Sequence, residues 1–185
     1  MEWDQGSDTW VTLVSQSLGY MNFTYLIEAV IKPTKTYKFK YRAVNAYGAG
    51  DYSDIASIIA PVIPSRIDTV RVQFVGSVVY LNWDVPSSDG NGKVIAYRIL
   101  IKQANGQFNL TSECNGNDTA ILNSRECIIK FATLQAAPFN LTQDSLVVAT
   151  VEALNGAGYS YPSYENKVGT KNACTSPTMT ATESY

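Results

Sequence analysis

The chain has 185 residues, 45% of them hydrophobic and 16% charged, with a formal net charge of −2 and no histidine. That is material for one or two domains with real cores. It is too apolar and too weakly charged for disorder, and it lacks both the ~18-residue apolar run that spans a bilayer and the basic stripe of a nucleic-acid binder.

The absence of imidazole removes the commonest general base, the commonest metal ligand and the usual activator of Ser or Cys nucleophiles. No Gly-rich phosphate loop or ligand cluster stands in its place. The chain therefore reads as a binding or structural module, not an enzyme, with no cofactor and no metal. Glu2 and Asp4 follow Met1 at once, which is not the opening of a secretory leader. The expectation is a cytosolic chain or a mature segment of something longer.

Period-2 alternation and turn residues recur along the chain. Residues 9–14 (TWVTLV) and 23–31 (FTYLIEAVI) read as strands. Residues 36–45 alternate cleanly, with Tyr37, Phe39, Tyr41 and Ala43 on one face and Lys38, Lys40 and Arg42 on the other. That is the pattern of a half-buried antiparallel strand. The stretch AYGAGD turns the chain, residues 53–59 return, and Pro61 and Pro64 mark a linker or edge. A second series follows. Strands are expected at 67–74, 77–83 and 94–102, the last closed by the turn ANGQ, and then near 107–111, 127–132, 145–154 and 161–168. No helical period appears, so no helix longer than a turn or two is expected and the fold class is an all-β sandwich.

An internal repeat divides the chain. A shift of 110 pairs Ala43 with Ala153, Asn45 with Asn155, Gly48 with Gly158 and Ser53 with Ser163. Upstream, WDQGSDTW around Trp3 and Trp10 matches IKQANGQF around Ile101 and Phe108 at a shift of 98. The second copy thus carries 12 extra residues, in the segment holding Cys114 and Cys127.

These residues resemble fibronectin type III domains. WDVP at 83–86 resembles the family's strand B tryptophan followed by proline, and Gly90, Gly92, Ile95 and Tyr97 follow its spacing into strand C. YKFKYRAVNAYGAGDYS at 37–53 matches the family's F–G hairpin. Tyr37 falls where the family places the tyrosine whose hydroxyl ties the E–F corner to backbone. Its counterpart in the second copy is Val147, so that corner has to be held otherwise. The paired cysteines, the WDQG hairpin and LTQDSLVVA resemble a subgroup of long multi-domain surface proteins of ciliates and related protists. The resemblance implies a partial domain at 1–60 without strands A and B and a complete domain at 61–168. It also implies a tail at 169–185 that resembles strand A of a further domain, its Pro177 matching Pro64.

Several residues are candidate sites. A Cys114–Cys127 disulfide would close a 12-residue loop and stabilise the fold by roughly 3 kcal/mol in the chain-entropy model; the other reading is two buried thiols. Cys174 is left over, either free or bonded to another chain. Four N-x-S/T sequons, at Asn22, Asn109, Asn117 and Asn140, are candidate glycan acceptors. Thr175, Ser176, Thr178, Thr180 and Thr182 around Pro177 are either O-glycosylated or a solvated linker.

Asp84, Asp89 and Asn91 lack the spacing of a calcium loop, and Phe74, Tyr80, Trp83 and Tyr97 are read as core. Tyr159, Tyr161 and Tyr164 are read as an interface patch, because Tyr favours protein interfaces; the other reading is edge-strand packing. Thr178, Met179 and Thr180 are read as a strand that docks on a neighbour.

With strands A and B missing, the first copy's core lies open. Val30, Ile31, Phe39 and Tyr41 would face water, at roughly 1.5–3 kcal/mol for each large side chain. The expected function is a structural repeat segment of an extracellular or cell-surface protein. It would assemble head to tail with copies of itself, residues 170–182 of one filling the vacancy of the next. An adhesion or receptor ectodomain that binds a protein or glycan ligand is the competing reading. No nucleic acid or membrane span enters either.

Overall fold

The computed structural model describes residues 1–15, 21–142 and 145–167. The chain forms two compact units, Met1–Val62 and a second that begins at Ile63.

The first unit holds β1 (Glu2–Trp3), β2 (Val11–Thr12), β3 (Thr36–Lys40), β4 (Val44–Asn45), β5 (Gly48–Ala49) and β6 (Ala56–Ile59). Four of these make one antiparallel sheet in the order β2-β1-β3-β6, while β4 and β5 form a short hairpin. The register sets Trp3 beside Phe39 and Tyr37 beside Ile58, so one face of the sheet is apolar. Trp3 and Tyr37 are buried and stack at 5.7 Å. The Tyr37 hydroxyl accepts the Lys32 N–H at 2.8 Å, five residues upstream, and so fixes the entry of β3. Buried Asp4 fixes the other end of the sheet, its Oδ1 accepting the N–H groups of Gly6 (2.8 Å) and Lys38 (2.9 Å).

The second unit holds β7 (Arg71–Val75), β8 (Val78–Asn82), β9 (Ala96–Lys102), β10 (Phe108–Asn109), β11 (Glu126–Lys130), β12 (Ala149–Asn155) and β13 (Gly158–Tyr159). They form two sheets, β11-β8-β7 and β10-β9-β12-β13. This three-on-four arrangement is the fibronectin type III, immunoglobulin-like sandwich. Alternation sends Val79, Leu81 and Trp83 of one sheet, and Tyr97, Ile99, Ile101, Ala149, Val151 and Ala153 of the other, into a single core. Trp83 and Tyr97 meet edge to face at 5.3 Å.

The repeat seen in the sequence is also a repeat of hydrogen bonds. Gly48 and Gly158 have φ of 139° and 137°, a conformation that side chains resist. Asn45 Oδ1 accepts the Tyr47 N–H, and Asn155 Oδ1 the Ala157 N–H. Ser53 Oγ accepts the Tyr41 N–H as Ser163 Oγ accepts that of Val151, both at 3.1 Å. In the second unit this becomes a series. Alternate amides of β12, those of Ala149, Val151 and Ala153, donate to the side chains of Asn166, Ser163 and Ser160.

Several sequence expectations need correction. The strand expected at 23–31 does not form. No strand pairs with it among the described residues, whereas β11 of the second unit is held by β8 over five residues. The strand at 9–14 shrinks to β2, because only Val11 and Thr12 meet β1. Residues 161–167 are not a strand. Pro162 breaks the ladder and side chains replace the backbone acceptors, apart from one parallel bridge from Tyr164 to Thr69.

Two short helices interrupt the β pattern, α1 (Thr119–Ser124) and α2 (Phe131–Gln135), and α2 ends the strand expected to run to 132. This helix replaces the missing tyrosine corner. Leu134, Phe139 and Leu141 plug the core, and the Leu141 N–H returns to the Leu134 carbonyl at 2.9 Å. Tyr80 is not core: its parity is opposite to that of Leu81 and Trp83, so it faces outward on β8.

The paired serines make a test. Ser163→Ala leaves the Val151 amide without an acceptor inside the fold, and should cost the second unit about 1–3 kcal/mol. Ser53→Ala should cost less, because Tyr41 is exposed and water replaces the lost oxygen. Denaturant melts of the two variants check the order; equal losses would refute it.

Candidate interaction surfaces

Apart from the β4–β5 hairpin, the first unit has one sheet and, among the described residues, no second one to cover it. On the apolar face, Ile58 is 59% exposed. The segment that precedes β3 runs beside this face without strand partners. Phe23, Leu26 and Val30 on it are almost fully solvated, and Ile31 and Tyr41 are exposed as well. Phe39 is half-buried against Trp3 and Tyr37. Single exposed apolar residues are ordinary; the first unit leaves several large ones exposed.

The opposite face of the same sheet is closed by charge. Lys40 Nζ lies 4.2 Å from the Trp10 ring centroid and 4.4 Å from that of Tyr52, and pairs with Glu2 at 3.3 Å. The Tyr52 hydroxyl donates to Glu2 and, with Lys40 and Arg42, holds the Glu2 carboxyl below its usual pKa. This satisfied cluster was not foreseen, since its members lie up to fifty residues apart and show no motif.

In the second unit the inserted segment closes strand edges beside the core. Cys114 and Cys127 are joined by a disulfide with Cα atoms 5.4 Å apart. Cys127 lies on β11 and Cys114 in the connection from β10, so the bond staples one sheet to the other. Glu113 accepts the Lys130 N–H at 2.7 Å and the Thr133 hydroxyl at 2.9 Å, which caps the open edge of β11. The Gly116 carbonyl accepts the Tyr97 N–H at 3.1 Å and caps the edge of β9. Gly116 fits so closely that a Cβ there would lie 1.9 Å from the Tyr97 carbonyl oxygen.

Tyr159, Tyr161 and Tyr164 lie along the far edge of the second unit, and each meets an arginine. Arg98 stacks on Tyr159 at 4.1 Å while paired with Glu152, and Arg66 lies 4.7 Å from Tyr164 and 5.7 Å from Tyr161. Tyr161 and Tyr164 are 65% and 58% exposed. Arg66 was missed by sequence reasoning, because nothing local distinguishes it and its partners lie almost a hundred residues on.

The sequons Asn22, Asn117 and Asn140 are exposed and Asn109 is half-buried beside β9. Asp84 is held by Arg71 at 2.6 Å, and Asp89 Oδ1 accepts the Asn91 N–H. Among the described residues no group of three or more acids, Cys or His is placed to hold a metal, and no helix is long and apolar enough to cross a membrane. Cys174, Thr175, Ser176, Thr178, Met179, Thr180 and Thr182 lie outside the described residues.

No family model matches the chain. It is similar to host cell factor 1 of Homo sapiens, 23% identical over 146 residues that make up 75% of this chain and 7% of that protein. It is also similar to the host cell factor homolog of Caenorhabditis elegans, 24% identical over 135 residues, 68% of this chain and 16% of that protein. The chain thus spans a small part of these relatives' length. Similar solved structures include titin domains (16% identity, TM-score 0.47, 91% of this chain and 54% of that one). The FN1–FN3 domains of chicken CNTN1 (22%, 0.44, 74% and 42%) are also similar. So is the sixth fibronectin type III domain of a human protein named for that domain (20%, 0.44, 62% and 91%). The fold itself rests on the strand order and register of the second unit.

Two predictions follow from the stapled and capped groups. Replacing Cys114 and Cys127 together by Ser should lower the stability of the second unit by about 2–4 kcal/mol. A denaturant midpoint unchanged from the parent would show that the inserted segment stays in place without the bond. Asp4 gives the second. Burial opposes its charge, but the N–H groups of Lys38 and Gly6 and the Lys38 ammonium more than offset that, and its pKa falls below the usual value. A depressed folded pKa contributes stability above the unfolded value of about 3.9, lost as pH falls through the folded one. Acid should therefore loosen the first unit, read by Trp3 and Trp10 fluorescence, and Asp4→Asn should be weakened at neutral pH and flatter below pH ~4.

Proposed function

We propose that this chain is a non-enzymatic segment of an extracellular or cell-surface repeat protein, and that its first unit is completed by strands from outside it. The carrying observation is that the four-stranded sheet of the first unit has no covering sheet among the described residues, whereas in the second unit the equivalent strands β10-β9-β12 have the sheet β11-β8-β7 over them. Trp3, Tyr37 and Phe39 form a core face that Ile27 only partly covers, and Phe23, Leu26 and Val30 of the same segment stand exposed. Strand addition satisfies both needs at once: backbone amides gain partners and apolar faces leave water.

The strands come from a neighbouring copy, residues 170–182 serving as one of them, or from another stretch of a longer chain. Repeated head to tail, such donation builds a filament or array and does not close. The buried Cys114–Cys127 bond supports an oxidising compartment. The exposed sequons suit N-linked glycans there, as does the resemblance to protist surface proteins. The exposed Tyr161–Arg66–Tyr164 stack favours a second reading, adhesion to a protein or glycan ligand, since Tyr and Arg are enriched in binding surfaces.

Deletion of residues 168–185 tests the first reading. The full chain should form concentration-dependent assemblies in sedimentation and negative-stain images. The deleted form should stay monomeric, with the first unit open to protease. Assemblies that persist unchanged after deletion, or a monomeric full chain whose first unit resists protease, would refute donation by the tail.

A further inference from the structure

The sequence contains four Asn–Gly pairs, at Asn91, Asn105, Asn115 and Asn155. Such pairs are open to one intramolecular reaction. The glycine's main-chain nitrogen attacks the asparagine Cγ, the new N–C bond closes a succinimide, and the Cγ–Nδ2 bond breaks with release of ammonia. Water then opens the ring at either carbonyl, leaving Asp or, with the main chain lengthened by one carbon, isoaspartate. Glycine permits this because it has no Cβ to obstruct the ring. What separates the four sites is whether the fold leaves the glycine nitrogen and the asparagine side chain free.

At three sites it does not. The Gly92 N–H donates to the Asp89 carbonyl at 3.3 Å and the Gly106 N–H to the Gln103 carbonyl at 2.9 Å. Asn155 is buried and held at both ends. Its Nδ2 donates to the Asp89 carbonyl at 2.7 Å, and its Oδ1 accepts from Ala157 (2.8 Å) and Gly158 (3.2 Å). Asn115 differs. It is exposed, its Oδ1 has only the long contact to the Asn117 N–H at 3.3 Å, and the Gly116 N–H has no acceptor among the described residues.

We infer that Asn115 is a site of covalent self-modification in the folded protein, converting through a succinimide to aspartate and isoaspartate ahead of the other three pairs. The consequence is local and structural. Gly116 lies against the Tyr97 carbonyl with no room for an added atom, and its own carbonyl caps the edge of β9. An extra main-chain carbon immediately before Gly116 pushes this contact apart and frees the Tyr97 amide, while the neighbouring Cys114–Cys127 bond keeps the segment attached. The product is a sandwich with its β9 edge uncapped, a slow chemical clock on the seal of the second unit.

The test is to incubate the intact, non-reduced protein at mildly alkaline pH and map its peptides by mass, scoring amide-to-acid conversion and isoaspartate at all four sites. The same digest, incubated after unfolding, gives the four intrinsic rates. Asn115 should convert first in the folded protein, and its lead should vanish in the unfolded digest. Hydrogen exchange at Tyr97 should rise in step with conversion. It should stay slow in freshly prepared Asn115→Asp, which has the charge and closes the ring far more slowly, and in Asn115→Ser, which cannot form the ring. Conversion at Asn91 or Asn105 ahead of Asn115, a lead that persists after unfolding, or unchanged Tyr97 exchange in the isoaspartate form would each overturn the inference.

Discussion

A sandwich stands when two sheets cover each other's apolar faces, and the two units of this chain show that requirement met and unmet. In the second unit, Trp83, Leu81 and Val79 have Tyr97, Ile99 and Val151 opposite them and all are withdrawn from water. In the first, Trp3 and Tyr37 are buried only within a small cluster, with Ala60 and the partly covered Leu13, Ile27 and Phe39, and no second sheet lies opposite them among the described residues. Strand pairing alone does not bury a face. The hydrophobic gain scales with the area removed from water, and one sheet removes little.

Edges impose the second requirement. A buried amide without an acceptor costs as much as a lost hydrogen bond, and each edge of the second unit meets this differently. β12 is closed by side chains, since Pro162 lies in the segment beside it. β9 and β11 are closed by the inserted segment, through the Gly116 carbonyl and the Glu113 carboxylate. The insertion is a seal between sheets, and the disulfide holds that seal against the loop entropy of its length.

What was legible in the sequence followed from local geometry. The F–G hairpins were visible because Asn45 and Asn155, Gly48 and Gly158, and Ser53 and Ser163 each act through bonds within a dozen residues. The tyrosine corner was visible for the same reason, with Tyr37 reaching back to Lys32. The contacts that were missed cross the chain. Arg66 finds Tyr161 and Tyr164 only after the edge has folded over, and Glu113 finds Lys130 only because the disulfide brings the inserted segment to β11. The failed strand at 23–31 shows the converse, for β-branched and aromatic residues mark a segment that fits a pleated surface and cannot supply the partner.

The segment at 21–31 carries the consequence furthest. Its residues have the character of β11, which pairs with β8 in register from Glu126–Asn82 to Lys130–Val78. Among the described residues the first unit has no counterpart of β8, and Phe23, Leu26 and Val30 stay in water while Ile27 packs on the Trp3–Tyr37 cluster. Phe23, Leu26 and Val30 are large apolar side chains that gain nothing from exposure, since burial is what rewards them. The F–G hairpin repeats the bonds of the second unit, while the corner does not, Tyr37 holding it in the first unit and the Leu134–Leu141 turn in the second.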